Sequence, residues 1–135
     1  MEKKEHSDDG KFVAGNCVEI WMSEGIVHVL YLDGAEITQE IKHEMHLIFL
    51  RITAEKKYPF LFSAEGSLWY TKEARDYASQ IEPKQPFLAV AMFAPTLGYR
   101  LIAEFYGRFY KPLSPYEVFR EKEEAMEWLN TFKGK

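Results

Sequence analysis

Residues 87–93, FLAVAMF, are apolar without a break. Such a run is what a strand covered on both faces looks like, and it points to helices packed over a largely parallel sheet. The segments around it fit that picture. Residues 16–22 alternate, with Val18, Ile20 and Met22 on one side and Cys17, Glu19 and Trp21 on the other. Ser23-Glu24-Gly25 interrupts the alternation, and residues 26–32 resume it up to Asp33-Gly34. Two strand-like runs joined by a short Gly-containing turn predict a β-hairpin.

The longest periodic segment is 37–56. Ile37, Ile41, Met45, Ile48 and Ile52 recur at spacings of four and three, a helical core stripe begun at or just before Thr38. Leu47, Leu50, His43 and His46 fall on the opposite side of the wheel. Residues 58–62 read as a short buried strand, with Pro59 near its start, where a missing donor is tolerated. Residues 64–70 read as a loop. Thr71 then caps a helix with Glu73 in its first turn, ending near residue 78 or 80. Pro83 and Pro86 bracket the next connection, and Pro95 suits the first turn of a third helix. That helix has a stripe of Leu97, Leu101, Phe105 and Phe109, with Ile102 beside it. Tyr99, Tyr106 and Tyr110 form a second stripe next to it, and Lys111-Pro112 stops the helix. Residues 116–119 read as a final strand. Residues 121–132 read as a closing helix with Ala125, Met126, Trp128, Leu129 and Phe132 as apolar positions. The order is ββαβαβαβα, which predicts right-handed crossovers and a parallel sheet region.

Length and charge bound the rest. A chain of 135 residues predicts one domain, at residues 12–135, with the charged residues 1–11 as a weakly ordered lead-in. The composition, 47% hydrophobic and 28% charged, is that of an ordinary globular domain. The aromatic share of 16% favours either a heavy core or an aromatic interaction surface. A formal charge of −4 argues against nucleic acid as a partner. Cys17 is the single cysteine, which rules out an internal disulfide and a Cys-rich metal site. No apolar run reaches the roughly 18 residues of a membrane span, and residues 1–11 contain no apolar core of a secretory signal. A cytoplasmic protein is expected.

Several stretches carry a family resemblance: Glu24-Gly25-Ile26 at the hairpin, Tyr58-Pro59-Phe60-Leu61 entering the third strand, and Glu73-Ala74-Arg75-Asp76-Tyr77 in the second helix. Ala89-Val90-Ala91, Lys111-Pro112 and Ala125-Met126-Glu127-Trp128-Leu129 continue it. In that order and spacing, from about residue 16 to 132, the chain resembles the STAS-like fold of sulfate transporters and anti-sigma-factor antagonists. Within that fold it is most similar to a group of small uncharacterised bacterial proteins. The resemblance implies a single α/β domain with a mixed sheet of about five strands opening on a hairpin, and four helices mainly on one face. It also implies a module without enzymatic activity. Anti-sigma-factor antagonists are switched by phosphorylation of a Ser at the start of the helix after a central strand, usually within an Asp-Ser pair. Here that pair is absent, and Thr71 matches the switch position because it caps the same helix.

The candidate residues follow from this placement. A phosphate on Thr71 would lie at the positive end of a helix with Arg75 one turn on; the plain alternative is an ordinary N-cap. Ser63 and Ser67 are the other candidate phosphoacceptors. No G-x-S-x-G elbow surrounds either, so ordinary loop serines are the plain reading. His43 and His46, with Glu40 nearby, share one helix face but lack an H-E-x-x-H pattern, which favours a solvated face over a metal site. His28, amid apolar strand residues, reads as a hydrogen-bonded core histidine. Trp69 and Tyr70 in the loop, with Tyr99, Tyr106 and Tyr110, exceed what one buried face needs and could wall a pocket or a partner surface. No catalytic, metal or cofactor site is expected. The expected function is a non-enzymatic regulatory or protein-binding module, with an unknown protein partner or itself as a homodimer. The alternative is binding or carriage of a small apolar ligand such as a lipid, as in the related CRAL-TRIO architecture.

Overall fold

The computed structural model describes residues 10–134, so the lead-in expected over residues 1–11 falls almost wholly outside the described residues. Eight strands and four helices follow in the order β1 Phe12–Ala14, β2 Val18–Ser23, β3 Ile26–Tyr31, β4 Ala35–Ile37, α1 Gln39–Ile52, β5 Tyr58–Ala64, β6 Leu68–Tyr70, α2 Lys72–Ile81, β7 Phe87–Phe93, α3 Leu97–Tyr110, β8 Tyr116–Phe119 and α4 Lys122–Asn130. A 3-10 turn, Glu82–Lys84, separates α2 from β7. The main sheet has six strands in the order β1-β2-β3-β5-β7-β8, and β4 and β6 form a separate two-stranded sheet. The β1-β2-β3 pairs are antiparallel; β3, β5, β7 and β8 run parallel. The sheet is therefore mixed, as expected, but larger than the five strands anticipated. The strand added to it is β1, and like β4 and β6 of the separate sheet it has three residues, too few to display a period of two.

Local chemistry explains the long elements. Glu24 and Gly25 have φ of 53° and 78°, the two left-handed positions of a tight hairpin turn whose twist matches the strands it joins. Pro59 lies in β5, an internal strand, at a register shift between Tyr58 and Pro59. The bulge removes the need for the hydrogen bond that Pro cannot donate. Thr38, Thr71 and Thr96 each cap a helix by accepting from the backbone N–H three residues on, at 3.1 to 3.2 Å. Pro95 thus precedes the third helix rather than opening it. That helix ends at Lys111, whose φ of 48° is left-handed.

The sheet has a buried layer on each side. Strand register places Val27, Phe60, Val90 and Tyr116 across one face. Phe49 of α1 meets Phe60, Phe62 and Phe87 there, and the rings of this group pair at 4.6 to 6.2 Å between centroids. Each fully buried Phe contributes roughly 1.5–3 kcal/mol of transfer free energy. On the opposite face, Ala125 and Leu129 of α4 pack with Ile26, Leu61, Ala89 and Ala91. The small alanines let α4 approach closely. Three helices on one face and one on the other agree with the expected layering.

Two helices present a different side to the core than their apolar periodicity suggests. In α1 the buried residues are Lys42, Met45, His46 and Phe49, while Ile41 and Ile48 are half-buried and Ile37 belongs to β4. His46, expected on a solvated face, is buried with its Nδ1 2.8 Å from Gln85 Oε1. In α3 the expected core stripe is outside: Leu97, Leu101 and Phe105 are exposed, and Tyr99 and Ala103 are buried. The reason is that α3 does not lie flat on the sheet. Its inward side spans a cavity.

Candidate functional site

The cavity has a volume of about 700 Å³. Its floor is the sheet face at Tyr31 of β3, Phe62 of β5, Val90 and Met92 of β7, and Tyr116 of β8. The side wall is α2, with Arg75 and Ala78, and Glu82 just beyond it. The rim is β6, at Leu68, Trp69 and Tyr70, and the roof is α3, with Tyr99, Ile102, Ala103 and Tyr106. Lys42 enters from α1. The lining is thus mostly hydrocarbon and aromatic rings, with phenols and three charged side chains among them.

The phenols are hydrogen-bond donors held in place by the fold. Tyr70 donates to the Tyr31 hydroxyl, and the two rings meet edge to face at 6.0 Å. Tyr116 donates to the Ala103 carbonyl at 2.6 Å and so ties β8 to α3. A side chain at Gly107 would collide with the Tyr116 ring, at 2.8 Å from an added Cβ, so the close approach of α3 to β8 depends on glycine there. The Tyr99 hydroxyl is buried and has no hydrogen-bond partner among the described residues. Burial pushes Tyr70 up to about 12. Burial, reinforced by neighbouring phenols, raises Tyr31 and Tyr99 well above the ordinary tyrosine range. All three remain protonated at any physiological pH.

Lys42 is the unusual member. It is only 6% exposed, and its Nζ lies 5.8 Å from the Tyr70 ring centroid. Burial lowers its pKa to about 8, with the Glu82 carboxylate pulling the other way. Glu82 is raised in turn by burial, against the pull of the Leu113 N–H and of Lys42. Its Oε2 accepts from that N–H at 3.3 Å.

Of the residues singled out by sequence, Trp69, Tyr70, Tyr99 and Tyr106 all line this one cavity. Tyr110 ends α3, and its side chain lies outside the described residues. Trp69 is 65% exposed, at the rim. The candidate phosphoacceptors are not gathered. Thr71 Oγ1 accepts from Ala74 N at 3.1 Å. Arg75 turns to the Tyr70 carbonyl at 3.1 Å and to the cavity, not to Thr71. Ser67 gives both its N–H and its hydroxyl to Asp33 Oδ1, at 2.9 and 3.3 Å, so a phosphate on it would face a carboxylate. Ser63 sits in β5 opposite Leu30 and points, by strand alternation, to the sheet face away from Phe62. His43 is exposed and contacts the Tyr77 hydroxyl. His28 is half-buried and stacks on Trp21 at 5.1 Å, so its observed partner is a ring rather than the hydrogen bond expected. Burial lowers its pKa, helped by Lys122 and opposed by Glu24.

Sequence reading missed Lys42, Tyr31, Glu82 and Tyr116. Lys42 did leave a signal. It stands three residues before Met45 and four before His46, inside the helical face that is buried. Among the described residues no cluster of three or more His, Cys, Asp or Glu could hold a metal ion, and no helix is long and apolar enough to cross a membrane.

Comparison with known proteins accords with the fold. Residues 20–133 match a family described as a domain of unknown function, DUF7793, and the chain belongs to that family. Its structure is similar to the crystal structure of an uncharacterised DUF3478-family protein with a SpoIIAA-like fold from Shewanella loihica PV-4, at 18% identity and a TM-score of 0.56. The similarity covers 83% of this chain and 91% of the other. The fold is therefore SpoIIAA-like, that is STAS-like, as the sequence resemblance implied. No curated protein matches the sequence.

Proposed function

We propose that this member of the DUF7793 family is a non-enzymatic, cytoplasmic binding module that holds a small apolar ligand under α3. The observation that carries this reading is the cavity of about 700 Å³, a size within the roughly 300–1,000 Å³ typical of small-molecule sites. Its lining of aromatic and aliphatic side chains with a few convergent polar groups is what such sites share. The fold alone supports no ligand, because one architecture hosts many functions.

The test is a challenge of the purified protein with a total lipid extract, followed by native mass spectrometry. A discrete complex of one chain with one ligand is expected. Val90→Phe, which fills the floor, should lose it while keeping the native circular dichroism spectrum. A protein that stays free of ligand after the challenge would sink the proposal.

A regulatory role through protein contact is the second reading, favoured by the exposed Leu97, Leu101 and Phe105 of α3, the latter two also bordering the cavity. A second copy of the chain would cover such a row. Sedimentation velocity decides: a monomer at all accessible concentrations removes this reading, and a dimer broken by Leu97→Glu supports it.

A further inference from the structure

We infer that the cavity selects an amphipathic ligand with a single negative charge, a long-chain carboxylate, whose head group pairs with Lys42 and accepts a hydrogen bond from Tyr99. This rests on the reading of the cavity as a ligand site. Three observations lead to the head group.

First, Lys42 is an ammonium at the end of a buried stem, with no hydrogen bond or ion pair among the described residues. Its contacts there are the Tyr70 ring and the field of Glu82. A buried cation without a partner is costly, and the cost is recovered when an anion reaches it. Second, Tyr99 is 6% exposed, lines the same cavity, and carries a buried hydroxyl with no hydrogen-bond partner among the described residues. Tyr70 gives its proton to the Tyr31 hydroxyl, and Tyr116 gives its proton to the Ala103 carbonyl. Tyr99 is the buried phenol whose hydroxyl makes no hydrogen bond among the described residues. Tyr70 links the two groups: Lys42 lies over its ring, and its hydroxyl is within electrostatic range of Tyr99.

Third, the charge count selects a monoanion. The charged residues of the lining are Lys42, Arg75 and Glu82. Two cations and one acid leave one positive charge. Arg75 is already committed to the Tyr70 carbonyl, and Glu82 to the Leu113 N–H. A neutral ligand would leave Lys42 unpaired. A dianion such as an alkyl phosphate would exceed the available charge and meet Glu82. The rest of the cavity is apolar and accepts a chain.

The experiment is displacement of a fluorescent apolar dye by oleate, by oleyl alcohol and by an alkyl phosphate of equal length. Wild-type protein should bind oleate about tenfold or more tightly than the alcohol, since a charge-assisted bond strengthens one contact. Oleate should also exceed the phosphate. Lys42→Met should bring oleate and alcohol to within about twofold, through loss of oleate affinity. Tyr99→Phe should reduce the preference for oleate in part. Equal binding of oleate and alcohol by the wild type overturns the head-group assignment and leaves the cavity reading standing. Displacement by none of the three overturns the cavity reading itself. An oleate-to-alcohol ratio that Lys42→Met leaves at its wild-type value overturns the assignment too, because Lys42 would then be shaping the cavity rather than pairing with a head group.

Discussion

Replacing Lys42 by Met should stabilise the ligand-free protein at neutral pH, and the gain should fade in alkali. The side chain is 6% exposed, and burial lowers its pKa from 10.5 to about 8. At roughly 1.36 kcal/mol per pKa unit, that gap is a penalty of about 3 kcal/mol on the charged form in the folded state. The folded pKa lies below the unfolded one, so between about pH 8 and 10.5 the unfolded chain binds more protons and stability rises with pH. Below that window the penalty is present in full, and above it the penalty is gone. Met is unbranched, close to Lys in helix propensity and at ease among apolar neighbours. It does not titrate. The variant should therefore be more stable by about 2–3 kcal/mol at pH 7, and by little near pH 10.5. The buried tyrosines work in the opposite sense: their raised pKa values cost the folded protein stability as pH passes 10. Both proteins share that loss, so the difference between them isolates Lys42. Urea unfolding of the two proteins across pH 7 to 10.5 measures it. A variant less stable at pH 7, or a difference that does not change with pH, would refute the reasoning, because the ammonium would then be stabilised within the fold.

Other residues yield sharper single measurements. Phe60→Ala, at the centre of the ring cluster with Phe49 and Phe87, should cost about 3–5 kcal/mol, read as a large drop in the urea midpoint. Thr71→Ala removes the acceptor for Ala74 N and should cost about 1 kcal/mol, with Thr71→Ser near neutral in the same denaturation experiment. Gln85→Leu leaves the buried His46 ring without its 2.8 Å partner and should cost about 1–3 kcal/mol. Adding His46→Leu to it should recover much of the loss, measured as a double-mutant cycle.

What could be read from the chain was what neighbours in sequence decide. The apolar run 87–93, the Glu24-Gly25 turn, the Thr38 and Thr71 caps and the stop at Lys111-Pro112 each depend on local backbone chemistry, and each appears in the structure where it was expected. The four aromatics Trp69, Tyr70, Tyr99 and Tyr106 were legible as a surplus over a core. Their meeting at one cavity was not.

The tertiary structure decided which side of each amphipathic helix is inside. On α3 the leucine stripe is the better hydrophobic face by composition, yet Tyr99 and Ala103 point inward. The helix stands over a cavity, docked at β8 by Tyr116, and no periodicity in residues 97–110 encodes what lies beneath them. The same holds for β1, β4 and β6: three residues make a strand only when a partner supplies the hydrogen bonds. It holds for Lys42 most of all. A lysine at one position of a helix is ordinary until α2, β6 and α3 close around it, and burial, a property of distant parts of the chain, turns a solubilising charge into a binding group.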